Sequence, residues 1–269
     1  MARDGKMVLP LIAGLVVGGI LLKAVVDELD RRDANGHAER GHALHGQGRH
    51  EEALGAYGDA LRLAPKDPRF HTARGRALWA LGRRSEALGA YQRAAGLDSN
   101  GVAAHCDVAD ALRLMGRPRD ALASAERAVA LSGRSSRAYR ARGEVLWSLD
   151  EGGKAIGDLK ASASLHDTAE THVRIAEMRC GQGNHVYERN ELDCAIAMEA
   201  GSADLHYRRA RALLHVAESS PKLREASCRQ AITDLEQAIE IDPRHEEAAG
   251  MLRRASGMLE GGEAGEGAG

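Results

Sequence analysis

Apolar and polar positions follow two different patterns along this chain. Residues Met7–Val26 are apolar at nearly every position, and their one charge, Lys23, comes near the end of the run. From Ala34 onward, small and apolar residues alternate with polar stretches and recur at a fixed period. The first pattern indicates a helix in a membrane, and the second indicates a repeated pair of helices.

The apolar run has the length of a membrane-spanning helix. Its 20 residues, at about 1.5 Å each, match the roughly 30 Å hydrocarbon core of a bilayer. We predict a single uncleaved anchor over residues 7–26. A cleaved secretory signal stays open because Arg3 and Lys6 form a short basic start, although no A-x-A pattern closes the run. A buried core helix is the third alternative.

Small residues within the apolar run suggest contact between membrane helices. Gly14 and Gly18 form a GxxxG pair, which lets two such helices approach closely and could produce a homodimer. Lys and Arg residues flank the run on both sides without clear asymmetry, so they do not decide its orientation. The chain has no Asn-x-Ser/Thr sequon, which favours a cytosolic position for the residues after the anchor but leaves the side open.

A period of 34 residues organises the remainder of the chain. Small, leucine and glycine positions stay in register over four steps of this period, which is typical of a repeat architecture. Four of the columns are Gly41, Gly75, Ala109 and Gly143; Leu44, Leu78, Leu112 and Leu146; Gly48, Gly82, Gly116 and Asp150; and Ala53, Ala87, Ala121 and Ala155.

Each repeat is predicted to contain two helices, A and B. In the first repeat, helix A covers 35–47 and helix B covers 51–63, with Gly48 after the end of helix A and Pro65 after helix B. Small residues at the crossing allow the two helices to approach closely. The pattern resembles the tetratricopeptide repeat family, and the residues that carry the match in the first repeat are Gly41, Leu44, Ala53, Tyr57, Ala60 and Pro65.

This resemblance implies an all-α fold, a right-handed α-solenoid of about six helix-turn-helix repeats, here preceded by a single transmembrane helix. We predict an anchor and juxtamembrane segment over 1–33, a solenoid with a capping helix over 34–260, and a disordered Gly/Glu tail over 261–269.

The fifth and sixth repeats depart from the pattern. Glu188 occupies the small helix-B position and Arg179 occupies a leucine position, so we expect looser packing in the fifth repeat. In the sixth repeat, Ala210 and Ala231 are 21 residues apart, whereas the equivalent residues of the first repeat, Gly41 and Ala53, are 12 apart. We expect this insertion to lengthen both helices, with a Ser220 N-cap followed by a proline in the first turn.

Composition narrows the possible functions. Lys plus Arg number 37 and Asp plus Glu number 39, a net charge of −2, which argues against nucleic-acid binding. Aromatic residues make up 3%, which argues against a β-sandwich or barrel. The four cysteines have no CxxC spacing, and no nucleotide-binding, zincin or hydrolase motif is present. We therefore predict no catalytic residue, no metal and no cofactor.

Histidines form a column of their own at the start of helix A. Helices of neighbouring repeats pack about 8–10 Å apart, too far for these side chains to share one metal ion, so we interpret the column as packing. His42 and His45 lie three residues apart on one helix and are interpreted as a solvated face. The column contains His37, His71, His105, His172 and His206.

The resemblance also indicates which positions face the concave surface of the solenoid. These positions are basic overall and include both tryptophans, and Arg and Trp are enriched where proteins bind one another. We therefore predict a membrane-anchored adaptor that binds an extended, acidic-apolar peptide segment of a partner; a precursor-protein receptor or co-chaperone at a membrane surface is the alternative. The predicted contact residues are Arg69, Arg76, Trp79, Arg113, Arg137, Arg140, Trp147, Tyr207 and Arg211.

One known mode of peptide binding in this family lacks its residues here. Some members hold the C-terminal carboxylate of a heat-shock chaperone with Lys and Asn. The corresponding inward positions of the first two repeats are Ala38, His42, Thr72 and Ala73. Chaperone binding of this type is therefore not expected.

Overall fold

The computed structural model describes the backbone of residues 5–266 and the side chains of residues 23–260. This part of the chain contains α-helices, one short 3-10 helix at Pro221–Leu223 and no strand. The α-helices are α1 (Gly5–Gly46), α2 (His50–Leu63), α3 (Pro68–Ala80), α4 (Arg84–Leu97), α5 (Val102–Leu114), α6 (Pro118–Leu131), α7 (Ser136–Trp147), α8 (Gly152–Leu165), α9 (Ala169–Gly181), α10 (His185–Met198), α11 (Ala203–Ser219), α12 (Arg224–Ile241) and α13 (Glu246–Glu266).

The helices belong to two compact units. Unit 1, Met1–Leu131, contains α1–α6, and unit 2, Ser132–Gly269, contains α7–α13. Within each unit, every helix packs against the helices before and after it in sequence, which is the arrangement of an α-solenoid. The predicted repeats therefore correspond to three helix pairs in unit 1, and to three pairs with a final helix in unit 2.

The turn between helices A and B has the same geometry in successive repeats. Gly48 has φ +76°, and the next amide, that of Arg49, donates to the carbonyl of Leu44 at 2.9 Å. Asp150 occupies the same position in the fourth repeat with φ 62°. Residues other than glycine rarely adopt this left-handed backbone conformation. The glycine column is thus explained by the left-handed conformation of this turn.

Glycine and an aromatic ring make the first two helix crossings. A Cβ atom on Gly41 would lie 2.5 Å from Cε1 of Tyr57, and one on Gly75 would lie 2.6 Å from the same atom of Tyr91. Tyr57 is 1% exposed, so the ring has little room to move. The predicted small-residue crossing is confirmed.

The first helix begins earlier than predicted. A start of helix A at residue 35 is wrong, because α1 runs without a break from Gly5 to Gly46. Residues 27–34 contain no proline or glycine, and the Arg31–Glu28 ion pair (2.8 Å) spans one helical turn. Ala34 and Ala38 then bury their methyl groups with Ala60 of α2 and Phe70 of α3.

The membrane-anchor prediction lies mostly outside the described side chains. Within the described part of the chain, no helix combines the length and the apolar character needed to cross a bilayer. The side chains of residues 7–22, including Gly14 and Gly18, are not among those described.

The sixth repeat and the C-terminal helix differ in two details from the predicted structure. The insertion lengthens both helices as expected, since α11 has 17 residues and α12 has 18. Ser220 occupies the N-cap position before Pro221, as predicted, but its side chain makes no capping hydrogen bond to the 3-10 turn that follows. The last helix extends to Glu266, past residue 260, since no proline interrupts it.

Candidate functional site

The helix-A surface of unit 1, formed by α1, α3 and α5, holds four of the predicted contact residues: Arg69, Arg76, Trp79 and Arg113. Arg69 is turned back toward the start of its helix. Its Nε and Nη2 donate to Asp67 at 3.0 and 2.7 Å, and Nη2 also donates to Asn35 of α1 at 3.3 Å. Asp67 is the N-cap of α3 and accepts the backbone amide of Arg69. Arg69 therefore has an internal structural role.

Arg76 has a different environment. Its side chain is exposed on α3, and within the described residues no carboxylate lies within ion-pair distance of it. The nearby His45 of α1 has its pKa lowered by burial, then by His50 and His42, and also by the charge of Arg76. Arg76 thus carries a positive charge that a ligand can reach.

The two remaining residues of this surface are half-buried. Trp79 lies near the end of α3, with the guanidinium of Arg84 5.5 Å from the centre of its ring. Such a contact stabilises a cation over the aromatic face. Arg113 is half-buried near the end of α5.

His45, which lies near Arg76, forms a group with two further histidines, His42 and His50. Nδ1 of His45 lies 3.0 Å from Nδ1 of His50, and Nδ1 of His42 lies 3.0 Å from the hydroxyl of Tyr57. Sequence reasoning assigned His42 and His45 to a solvated face. Their spacing of three on helix A was the available signal, but only the fold brings the third histidine, from α2, beside them.

The helix-A surface of unit 2 is an ion-pair ladder that links α7, α9 and α11. Arg174 donates to both oxygens of Glu144 at 2.6 and 2.7 Å, and to Glu177 at 2.9 Å. Arg208 bridges Glu177 (2.9 Å) and Asp204 (2.6 Å). The pKa of Glu177 is lowered: burial acts to raise it, but the hydrogen bonds from Arg174 and Arg208 outweigh this effect. The charges of this ladder are thus engaged within the protein.

Most of the predicted contact residues in unit 2 also have internal partners. The ring of Trp147 lies against Gly152 and Gly181, with a Cβ on Gly181 placed 3.4 Å from it. The ring of Tyr207 lies against that of His245, with the centroids 4.8 Å apart and the planes tilted by 43°. Arg137 is half-buried in the first turn of α7.

The two remaining arginines differ in exposure. Arg140 is exposed, and its Nη1 lies 3.4 Å from Glu170. Arg211 lies 3.6 Å from Glu188. Each unit thus has its own group of predicted residues; Arg76 and Arg140 are both exposed, and Arg140 has Glu170 as a solvent-exposed partner.

Four histidines of the column connect their helix A to the loop before it. His71, His105 and His206 each place Nε2 within 2.9–3.2 Å of the backbone carbonyl six residues earlier. A carbonyl oxygen can only accept, so Nε2 carries the proton and donates. His172 instead lies between Asp167 and Glu191, at 2.9 and 2.8 Å. The column holds the loops between repeats by hydrogen bonds as well as by packing.

Comparison with known families agrees with this geometry. The tetratricopeptide repeat family model matches residues 38–102 and 106–170. These residues are similar to tetratricopeptide repeats. Such repeats are generally interaction scaffolds rather than enzymes. No curated protein sequence matches the chain.

Solved structures share the fold at low sequence identity. PilF of Pseudomonas aeruginosa is 17% identical with a TM-score of 0.64, over 84% of this chain and 99% of that one. TTC0263, a tetratricopeptide-repeat protein of Thermus thermophilus, is 24% identical with a TM-score of 0.57, over 67% and 99%. YrrB, a tetratricopeptide-repeat protein with an unusual peptide-binding site, is 18% identical with a TM-score of 0.54, over 74% and 98%. At these identities the likenesses show the fold alone.

Proposed function

We propose that this protein is a membrane-anchored adaptor whose tetratricopeptide repeats bind an extended, acidic-apolar peptide segment of a partner protein. The repeats support a scaffold rather than an enzyme. The peptide-binding site of YrrB supports a peptide as the kind of ligand that this fold accepts.

The charge environment of Arg76 carries the acidic part of the proposal. The side chain is exposed, lacks a carboxylate partner among the described residues, and lowers the pKa of His45. A carboxylate from a peptide would neutralise this charge and could accept two parallel hydrogen bonds from the guanidinium. Trp79, on the next turn of α3, offers apolar surface for a neighbouring side chain of the peptide.

Unit 2 contributes less to acidic recognition in this proposal. Its helix-A arginines Arg174 and Arg208 already have carboxylate partners at 2.6–2.9 Å. A peptide acid would have to displace one of these partners, so we assign the acidic contact to unit 1. Arg140, whose Glu170 contact is long and exposed, is the unit-2 residue open to a second contact.

The anchor remains part of the proposal on sequence grounds. Residues 7–26 are apolar over a bilayer-spanning length, and the α1 backbone is helical from Gly5. We propose a single-pass protein with its repeats on the cytosolic side. Gly14 and Gly18 would allow two such helices to associate.

A peptide array probed with the purified full-length chain tests the peptide-binding proposal. We expect binding to peptides that combine Asp or Glu with an apolar residue, and Arg76→Glu should weaken it roughly tenfold, equivalent to about 1.4 kcal/mol. Arg62→Glu is the matched control, because Arg62 is an exposed arginine on helix B paired with Asp59. Equal weakening by both variants, or none by either, would contradict a role for this surface.

A further inference from the structure

Three potential metal ligands from the fifth repeat converge in unit 2. Cys180 lies in the last turn of α9, while His185 and Glu188 lie one helical turn apart at the start of α10. One ligand atom of each lies within 4.8 Å of the others, and Nδ1 of His185 is 2.8 Å from Oε2 of Glu188. The connecting turn is short and includes Gly183 at φ +69°. It therefore places the last turn of α9 close to the first turn of α10.

Glu188 is unusual for its position in the repeat. The same column holds Ala53, Ala87, Ala121 and Ala155, whereas Glu188 places a carboxylate there that is 2% exposed. Burying a carboxylate is costly unless charged or hydrogen-bonding partners compensate for it. Helix packing needs no carboxylate at this position, since alanine occupies it in the other five repeats, including Ala231 in the sixth.

The two oxygens of Glu188 have separate partners. Oε2 faces His185, and Oε1 faces the guanidinium of Arg211 at 3.6 Å. Arg211 therefore lies within ion-pair distance of one oxygen and leaves the other on the side of His185, in the place that the outer partner of a metal ligand would take. Burial, followed by the charge of Glu188, raises the pKa of the Cys180 thiol, while Arg211 acts in the opposite direction.

We propose that Cys180, His185 and Glu188 bind a zinc ion. A thiolate, an imidazole and a carboxylate are ligands that Zn²⁺ accepts together, with a fourth tetrahedral position left for water or another ligand. The thiolate and the carboxylate balance the charge of the ion. Binding forms a bond from Cys180 Sγ to zinc and releases the thiol proton to solvent.

His215 is a nearby candidate for the fourth position. Its ring stacks on that of His185 with the centroids 4.5 Å apart, and it lies one turn after Arg211 on α11. Rotation of this ring toward the ion would connect the fifth and sixth repeats through the metal. The site would then compensate for the departures from the repeat pattern at Glu188 and Arg179.

Cobalt binding by the purified full-length chain tests the site, because Co²⁺ bound to a thiolate in tetrahedral geometry absorbs visibly. We expect one equivalent of Co²⁺ to produce a thiolate charge-transfer band that Zn²⁺ abolishes. Cys180→Ser and His185→Gln should lose the band, whereas Cys194→Ser, an exposed cysteine on α10 outside the cluster, should keep it. Arg211→Met should weaken metal affinity roughly 10–100-fold.

Glu188→Ala separates a metal role from a purely structural one. Alanine is the residue of this column in other repeats, so we expect the variant to fold. Zn²⁺ should raise the melting temperature of the wild-type protein but not that of Glu188→Ala. The proposal is overturned if the wild-type chain gives no thiolate band, if Cys180→Ser retains it, or if Zn²⁺ stabilises both proteins equally.

Discussion

Gly41 of α1 lies so close to the ring of Tyr57 of α2 that a methyl group at position 41 would contact three ring atoms at 2.5–2.9 Å. The third repeat makes the same crossing with Ala109 and Ala125, both 0% exposed. At this pair of positions one repeat therefore combines a tyrosine with a glycine, and another combines two alanines, so a large side chain is never placed opposite a second side chain in these two repeats.

The Gly41–Tyr57 contact predicts that Gly41→Ala destabilises the protein and that Tyr57→Ala partly offsets this loss of stability. Gly41→Ala should lower the free energy of unfolding, because overpacking costs about 1–3 kcal/mol while helix propensity returns at most ~1 kcal/mol. Adding Tyr57→Ala should relieve the clash, so the two changes will be less destabilising together than the sum of the single effects. Urea unfolding of the three variants measures this.

Gly58→Ala on α2 is the control for helix propensity. A Cβ at Gly58 meets nothing within 4 Å, so this change should stabilise the protein by up to about 1 kcal/mol. If Gly41→Ala were equally stabilising, the Tyr57 ring would have to move freely, contrary to its burial.

The Asp67 cap predicts a pH-dependent contribution to stability. Its pKa is lowered, first by the hydrogen bond from the Arg69 side chain and against the effect of burial. A carboxyl group whose pKa is lower in the folded state than in the unfolded state stabilises the protein fully at pH values above its unfolded-state pKa of about 3.9. This stabilisation is lost as the pH falls through the pKa of the folded state. Melting temperatures at pH 7 and below pH 4 should therefore differ more for wild type than for Asp67→Asn.

Asp67→Ala distinguishes the cap from the charge. Asparagine can still accept the amide hydrogen bond, whereas alanine cannot, so Asp67→Ala should lose about 0.5–2 kcal/mol of stability at pH 7. Equal stability of the alanine and asparagine variants at that pH would contradict a capping role.

The ion-pair ladder predicts that Arg174 stabilises unit 2. Arg174→Met removes the paired hydrogen bonds to Glu144 and leaves that carboxylate, which is 14% exposed, with fewer partners. Because Arg174 is itself one-third exposed, we expect a moderate loss of about 1–2 kcal/mol in the free energy of unfolding. Arg229→Met is the control, since its ion pair with Glu225 is exposed on both sides and its loss should be near zero in the same denaturation experiment.

The proposed anchor predicts how the protein partitions. The full chain should remain with membranes after carbonate extraction, because residues 7–26 supply the only apolar run of that length in the sequence. A chain beginning at Ala34 should not sediment with membranes and should keep the helical circular-dichroism spectrum of the repeats. Release of the full chain by carbonate would contradict the anchor.

Local patterns in the sequence predicted much of the repeat geometry. The glycine at position 48 was interpretable because the backbone of a short helix-to-helix turn needs a left-handed residue there. Gly41 and Ala53 were interpretable because a close crossing excludes large side chains. Boundaries were less predictable: nothing local marks Asn35 as a helix start, and the helix continues through it.

The candidate surfaces depended on partners that are distant in sequence. Arg69, Arg76 and Arg174 are all helix-A arginines and look alike in the sequence. Arg174 is paired with Glu144, 30 residues away, and Arg69 is paired with the cap of its own helix. Arg76 has neither kind of partner, so only the packing of the helices separates structural charges from accessible ones.

By itself, the sequence determined the helical repeat, its period, its turns and its small-residue crossings, because these follow from backbone geometry and side-chain volume within about 34 residues. The tertiary structure alone decided which polar groups meet. It turned Glu188 from an apparent packing defect into a carboxylate shared by His185 and Arg211, and it placed Cys180 beside them. Electrostatic pairing depends on atomic distances between helices, and a one-dimensional pattern of residue types does not contain them.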